Sequence, residues 1–417
     1  MNARYALLIV MLGIMGCATS PGAQPLGREL APPHPALTMR PIPEGLGVNI
    51  HFYEGGAEDW RMMAEAGFGI VRMDISWAGA EKEAGKYDFS AYDALVSQLE
   101  ARQMRLLFII DYGNPICGDD LAPHTDACRE LYAKFCGGLA AHFAGKGILW
   151  ELWNEPNIHF WTPQPNVDDY MAWCKAVVPA VRAADPNACI VGPATSRIDL
   201  DFLRGCFERG LLELVDGVSV HPYRDAKQGP ETAVPEYLEL GTLIEEFRPA
   251  GNNKVIPMLS GEWGYSSLNL SEAEQGKYLV RQWLTNTAFG IPISIWYDWH
   301  DDGPDPNEKE HHFGTVTLDY QPKPAFTAMK TLVQQLRGYT FATRHRTDSQ
   351  EDYVLVFEKE STRKIAAWTT GVPHTITLGP AFPVTDIVDH LGAPRLSLRN
   401  GTLELGDAPC YVSVEEP

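Results

Sequence analysis

Basic residues are scarce in this chain: 34 Lys and Arg stand against 54 Asp and Glu, a formal net charge of −20. Phosphate backbones are bound by clustered cations, so this balance argues against nucleic acid as a partner. No run is apolar for long enough to span a bilayer as a mature helix. The N-terminal one, Tyr5 to Met15, has instead the length of a signal-peptide core. The first candidate strand is followed by no G-x-G-x-x-G; GVNIHFYEGG stands there, which argues against a doubly wound dinucleotide fold. No C-x-x-C or Cys/His spacing suggests zinc, no cofactor is implied, and neither low-complexity sequence nor a repeat beyond the rhythm described below is present.

What is present is ordinary globular material, 45% hydrophobic and 21% charged. Eleven Trp and sixteen Tyr supply flat faces of the kind sugar rings stack on, although most of any such set packs in cores. After the short apolar run, Ile14-Met15-Gly16-Cys17 resembles a lipoprotein lipobox, so residues 1–17 read as a signal peptide with lipidation at Cys17. The alternative is a general secretory signal. Both predict export, and Ala18 favours an outer-membrane lipoprotein, with a periplasmic or extracellular protein as the other outcome. Residues 18–44, rich in Pro and Gly, read as a tether, so membrane contact is expected only through the lipid anchor. Export permits disulfides. Cys117 and Cys128, bracketing a polar loop, are the preferred pair, and the odd count of the remaining cysteines leaves at least one free.

From residue 45 short apolar runs alternate with helical stretches. The predicted strands are 45–52, 69–77, 105–112, 148–154, 189–195, 216–221, 255–262 and 293–298, with amphipathic helices among the segments between them. Eight such units over about 290 residues predict a (β/α)8 barrel across 45–335. After about residue 336, short runs rich in Val, Ile and Thr predict a small antiparallel β-sandwich domain, 336–417.

In such a barrel the chemistry sits where strands end. Those ends carry Arg72 and Asp74, Asp111, Asn154 and Glu155, His221 and Tyr223, Glu262, then Trp296, Asp298 and His300. Two glutamates therefore face one mouth. Glycoside hydrolysis needs such a pair: an acid that protonates the leaving oxygen, and a carboxylate that attacks or activates water.

The ordered set W-N-E-P-N (153–157), H-P-Y (221–223), G-E-W-G (261–264) and the Trp of the eighth strand resembles clan A glycoside hydrolases. Family 39 and its exopolysaccharide-cleaving relatives come first, family 5 next. The resemblance implies a retaining enzyme that cleaves β-glycosidic bonds of a carbohydrate substrate, with Glu155 as general acid/base and Glu262 as nucleophile. Asn154 would hold the sugar 2-hydroxyl, Tyr223 and Arg72 would contact Glu262, and the carboxyl groups would lie about 5–5.5 Å apart. Trp296 would floor the cleaving subsite, and Trp77, Trp161 and Trp263 are further sugar platforms or plain packing residues. Arg72 could instead pair with Asp74, and His221 could be a hydrogen-bonded core residue. The loop 297–314, with Asp301, Asp302, Asp305 and Asn307, departs from a calcium-loop spacing and reads as a groove wall carrying Asp298 and His300; no metal is expected. A carbohydrate-binding lipoprotein on an inactive barrel and a transglycosylase are the competing readings.

Overall fold

The computed structural model describes residues 30–414 apart from 119–121, 252–253, 380–381 and 396–400. The predicted leader with Cys17, and the predicted tether as far as residue 29, lie outside the described residues. Among the described residues no helix is long and apolar enough to cross a membrane.

Eight parallel strands close a barrel: β1 (Leu46–Asn49), β2 (Ile70–Ser76), β3 (Arg105–Asp111), β4 (Leu149–Leu152), β5 (Cys189–Ser196), β6 (Gly217–His221), β7 (Met258–Trp263) and β8 (Ser294–Trp296). β1 pairs with both β2 and β8, which completes the ring. The main helices that follow the strands are α1 (Ala57–Ala66), α2 (Ser90–Glu100), α3 (Asp126–His142), α4 (Val167–Ala184), α5 (Leu200–Glu208), α6 (Val234–Glu246), α7 (Glu272–Ala288) and α8 (Pro324–Leu336). Local chemistry fixes their ends. Ser271 caps α7 by accepting from the Glu274 amide while Glu274 accepts from the Ser271 amide, a reciprocal capping box. Thr125 caps α3 by accepting from Cys128 N, and Cys128 is bonded to Cys117 with Cα atoms 5.4 Å apart, as expected from the sequence. The bridge staples the loop between β3 and α3; Cys136, Cys174, Cys189, Cys206 and Cys410 are free and buried.

Strand parity sorts the core into two shells. Ile70, Leu107, Ile109, Leu149, Val191, Leu259, Ile293 and Ile295 point inward and fill the lower barrel. The intervening residues, among them Val71, Met73, Phe108, Ile110, Trp150, Val218 and Trp296, point outward beneath the helices. Both faces are apolar, so each strand reads as a continuous hydrophobic run.

Residues 30–44 correct the tether reading. Leu37, 1% exposed, joins the interior cluster of Ile70, Leu107 and Leu259, while Ile42 exchanges backbone hydrogen bonds with Gly338 and Tyr339. Apolar side chains within a Pro-rich segment suffice to seat it against the barrel.

Beyond α8 the chain forms β9 (Thr340–Arg344), β10 (Asp352–Lys359), β11 (Thr362–Thr369), β12 (His374–Thr377), β13 (Val384–Asp389), β14 (Thr402–Leu405) and β15 (Cys410–Val414). A five-stranded antiparallel sheet ordered β9-β10-β11-β15-β13 covers the β12–β14 pair. Alternation again assigns the faces. Val354, Val356, Ile365 and Val412 pack with Leu403 and Leu405, whereas Tyr353, Leu355, Phe357 and Trp368 belong to the barrel's own core cluster.

Candidate active site

Where the strands end, the inward parity turns from apolar to polar. Arg72 and Asp74 continue the inward face of β2, Asp111 that of β3, Glu151 that of β4, and Ser219 and His221 that of β6. The centre of this layer is Arg72, wholly buried. Its Nε donates to Glu151 Oε2 at 2.6 Å, Nη1 to Glu262 Oε2 at 2.5 Å and Asn49 Oδ1 at 3.1 Å, and Nη2 to Asn154 Oδ1 at 2.9 Å. Burial opposes its charge, but Glu151 and Glu262 outweigh that and push its pKa further up, so the cation is permanent. Glu151 also accepts from Ser219 Oγ. Gly261 is what leaves room for this pair: a Cβ there would sit 2.3 Å from Ser219 Oγ and 2.7 Å from Glu151 Oε1.

Above this layer opens a cavity of about 1090 Å³ at the C-terminal mouth of the barrel, lined by Arg72, Asn154, Glu155, Tyr223 and Glu262 among others. The segment after β4 is strained: Trp153 and Glu155 both hold positive φ, 70° and 49°. Tertiary contacts keep it so. Glu155 N donates to Ala194 O, and the Asn157 amide spans Ser196 and Asp199. Glu155 is 7% exposed, and burial, opposed by Arg72, pushes its pKa up to about 7.

His221 Nδ1 lies 3.0 Å from Glu155 Oε1 and its Nε2 3.3 Å from Arg72 Nη2. Burial, partly offset by Glu262, drops the imidazole to about pKa 4, so it is neutral. Arg72 can only donate, hence Nε2 accepts and the ring proton sits on Nδ1, donated to Glu155 Oε1. That commits Oε1 of Glu155 to the imidazole and leaves Oε2 to carry an acidic proton, with the Ser196 hydroxyl as a further partner of the carboxyl that favours its ionised form. Glu262 is held from both sides: Arg72 meets Oε2, and the Tyr223 hydroxyl donates to Oε1 at 2.6 Å. Burial and the Glu262 charge keep that phenol protonated. Oxygens of Glu155 and Glu262 and a ring nitrogen of His221 all lie within 4.8 Å of one another.

The structure thus brings Arg72, Asn154, Glu155, His221, Tyr223 and Glu262 together, and separates the remaining predicted site residues from them. Trp77, Trp161, Trp263 and Trp296 are at most 1% exposed and none lines the cavity. Trp77 donates to Glu81 and packs on Tyr132; Trp161 packs on Trp153 and Tyr170. Trp296 donates to Phe313 O from the outward face of β8, because Ile295 takes the inward position. The next inward residue, Tyr297, lines the cavity in its place. It is held close by Gly264, where a Cβ would sit 1.8 Å from Tyr297 O. Asp298 is buried behind Tyr297, 3.5 Å from His51; burial pushes the carboxyl up, the contact with His51 opposes that, and the same contact favours the charged imidazole, so the two share a proton as a pair. His300 turns away, its Nδ1 on Asp301 O and its ring edge on Tyr320. Asp301 accepts from Lys323 Nζ and Gly314 N, and Asp305 from Asn307 N, so these acids hold the loop through separate partners.

Four participants escaped the sequence reading: Glu151, Asn49, His51 and Tyr297. Parity along β4 and β8 was the signal for Glu151 and Tyr297; Asn49 and His51 stand in the first predicted strand at the same spacing.

Residues 42–303 match the family model described as Cellulase (glycosyl hydrolase family 5). The chain belongs to this family. The clan A resemblance, with family 39 nearest in kind, is supported by solved structures as well. A family 39 glycoside hydrolase from the gut symbiont Bacteroides cellulosilyticus WH2 superposes with a TM-score of 0.79 at 26% identity, over 90% of this chain and 81% of that one. A family 39 β-xylosidase from Caulobacter crescentus shares the fold with a TM-score of 0.68 at 16% identity, over 91% and 98%. A β-xylosidase of Geobacillus stearothermophilus is 29% identical over 203 residues, which are 43% of this family 5 chain and 40% of that relative's length.

Proposed function

We propose that this clan A protein is a retaining glycoside hydrolase that cleaves β-glycosidic bonds of an oligosaccharide or polysaccharide through Glu155 and Glu262. The observation that carries this reading is the approach of the two carboxyl groups, with oxygens within 4.8 Å. An approach this close suits a carboxylate that attacks the sugar directly, as in retaining enzymes, whose carboxyl groups lie about 5–5.5 Å apart. Glu262, oriented by Arg72 and Tyr223, attacks the anomeric carbon. The bond to the leaving oxygen breaks as Glu155 gives that oxygen its proton, and a glycosyl ester on Glu262 results. Glu155, now ionised, takes a proton from water, which opens the ester and regenerates both groups. Asn154, fixed by Arg72 and by its own amide donating to the Tyr112 hydroxyl, is placed to meet the sugar 2-hydroxyl.

The xylosidases among its relatives make β-xylosides the first substrates to try, alongside plant, fungal and bacterial polysaccharides. Wild type should release reducing sugar from at least one β-linked glycan, Glu262→Ala should abolish release, and Glu155→Gln should spare only substrates with activated leaving groups. A wild type inert on every β-glycan would favour a binding protein instead. We also propose export with a lipid anchor at Cys17, a reading that the Cys117–Cys128 disulfide supports. Palmitate labelling lost in Cys17→Ala would bear it out; unchanged labelling would refute it.

A further inference from the structure

Asp111 ends β3 with its side chain inward and 0% exposed, and among the described residues no N–H group or hydroxyl donates to either of its oxygens. A buried carboxylate in that position is costly. Asp74 of the adjoining strand shares its inward face one step away in register, Asp74 standing beside Ile109 and Ser76 beside Asp111, and a second carboxyl so close disfavours charge on Asp111. A proton on Asp111, donated to Asp74, satisfies the group that is otherwise orphaned. Burial first, and the Asp74 charge second, push Asp111 in this direction, well above the ordinary carboxylate range. Asp74, unlike Asp111, reaches the cavity, where Asn49, His51 and Tyr112 are its neighbours in the lining. Among the described residues, no side-chain hydrogen bond other than the contact with Asp111 reaches the Asp74 carboxyl.

We propose that Asp111 and Asp74 share one proton, and that this pair presents the Asp74 carboxylate as acceptor for a hydroxyl of the sugar ring being transferred, selecting which glycone the cavity takes. The proposal rests on the glycosidase reading. With the acid Glu155 on the β4 side and Glu262 beneath the anomeric carbon, the transferred ring lies toward β1, β2 and β3, where Asp74 stands. Asp74 is then a specificity-determining residue, and Asp111 a positioning residue that acts through it. A carboxylate steadied by a neighbouring acid is a strong, fixed acceptor. Losing a hydrogen bond to such a charged group corresponds to roughly a 10- to 100-fold loss.

Two measurements decide the matter. Infrared difference spectra of the resting protein at neutral pH, wild type minus Asp111→Asn, should contain a protonated carboxyl band; a carboxylate band in its place overturns the shared proton. This readout needs no turnover, so it stands even if the protein cleaves no glycoside and the parent reading has failed. The second is kcat/KM for 4-nitrophenyl β-xyloside and its monodeoxy analogues. Asp74→Asn should lose about 10- to 100-fold on the parent, and nothing further on the one analogue that lacks the contacted hydroxyl. Asp111→Leu should show the same selective loss, and Asp111→Asn, whose amide still donates to Asp74, should recover most of it. Equal losses on every analogue would mean a merely structural pair and would overturn the assignment.

Discussion

Glu155 is a carboxyl whose charge the fold opposes, and its proposed role as acid and its cost to stability have the same origin. Free-enzyme kcat/KM should fall as pH rises through about 7, because the acid form is lost there. The sign of the linked stability follows from the raised pKa. The protonated form is favoured by folding, so its contribution is intact below the unfolded value of 4.5 and is lost as pH climbs through about 7. The full effect is about 3 kcal/mol. Glu155→Gln, which carries no charge, should therefore match wild type in urea unfolding near pH 4 and exceed it by up to this amount at pH 9. An unchanged gap between the two pH values would show that burial is not what sets this group. Arg72 makes the opposite case. Replacing it with Met strands Glu151 and Glu262 without their cation, and leaving a buried charge unpaired costs about 3–5 kcal/mol. Both the denaturation midpoint and kcat/KM should drop, and a Lys in its place should rescue neither fully, since a single ammonium cannot serve carboxylates and amides on three strands at once.

At the scale of elements, the barrel strands were legible because parallel strands buried on both faces appear as uninterrupted apolar runs, and the mouth was legible because each run stops at a polar residue. The same continuity hid parity. In Ile295-Trp296-Tyr297 nothing in the composition says which aromatic faces inward, and Trp296 was the natural choice for the larger ring; closure of the barrel placed Ile295 inside and Tyr297 with it. Glu151 was hidden for the complementary reason. It lies in the middle of an apolar strand, and only a guanidinium 79 residues away in sequence makes its charge tolerable there. Glu155 and Glu262 needed no such long-range partner to be seen, because each follows or ends a strand. The two aromatics should separate by assay. Tyr297→Ala should raise KM by about 10-fold or more through loss of cavity wall, with little change in unfolding. Trp296→Ala should instead cost about 3–5 kcal/mol of stability, as a large buried ring does, and unfolding titrations beside Michaelis curves will tell the two apart.

Across the whole molecule the β domain and the catalytic mouth share one buried knot. Glu231, in the segment after β6, accepts from Arg281 of α7 at 2.8 and 2.6 Å and from the Trp368 indole of β11 at 2.7 Å. The Trp368 ring stacks on Tyr353, with centroids 4.7 Å apart, and Arg281 continues to Asp407 O. The segment immediately before Glu231, from Arg224 to Gln228, is cavity wall, and Tyr265 donates to Gln228 O to hold its end. Removing Glu231 should therefore act in two places. Arg281 would be left buried without its carboxylate, at a cost of up to about 3–5 kcal/mol, and the wall would lose its anchor to the β domain. Glu231→Ala should lower the melting temperature and raise KM together, while Trp368→Phe, which keeps the stacking and the Arg281 pair, should lower the melting temperature by only a few degrees, the effect of about 1 kcal/mol for one hydrogen bond. If Glu231→Ala melts early yet binds substrate normally, the β domain braces the barrel without shaping its mouth.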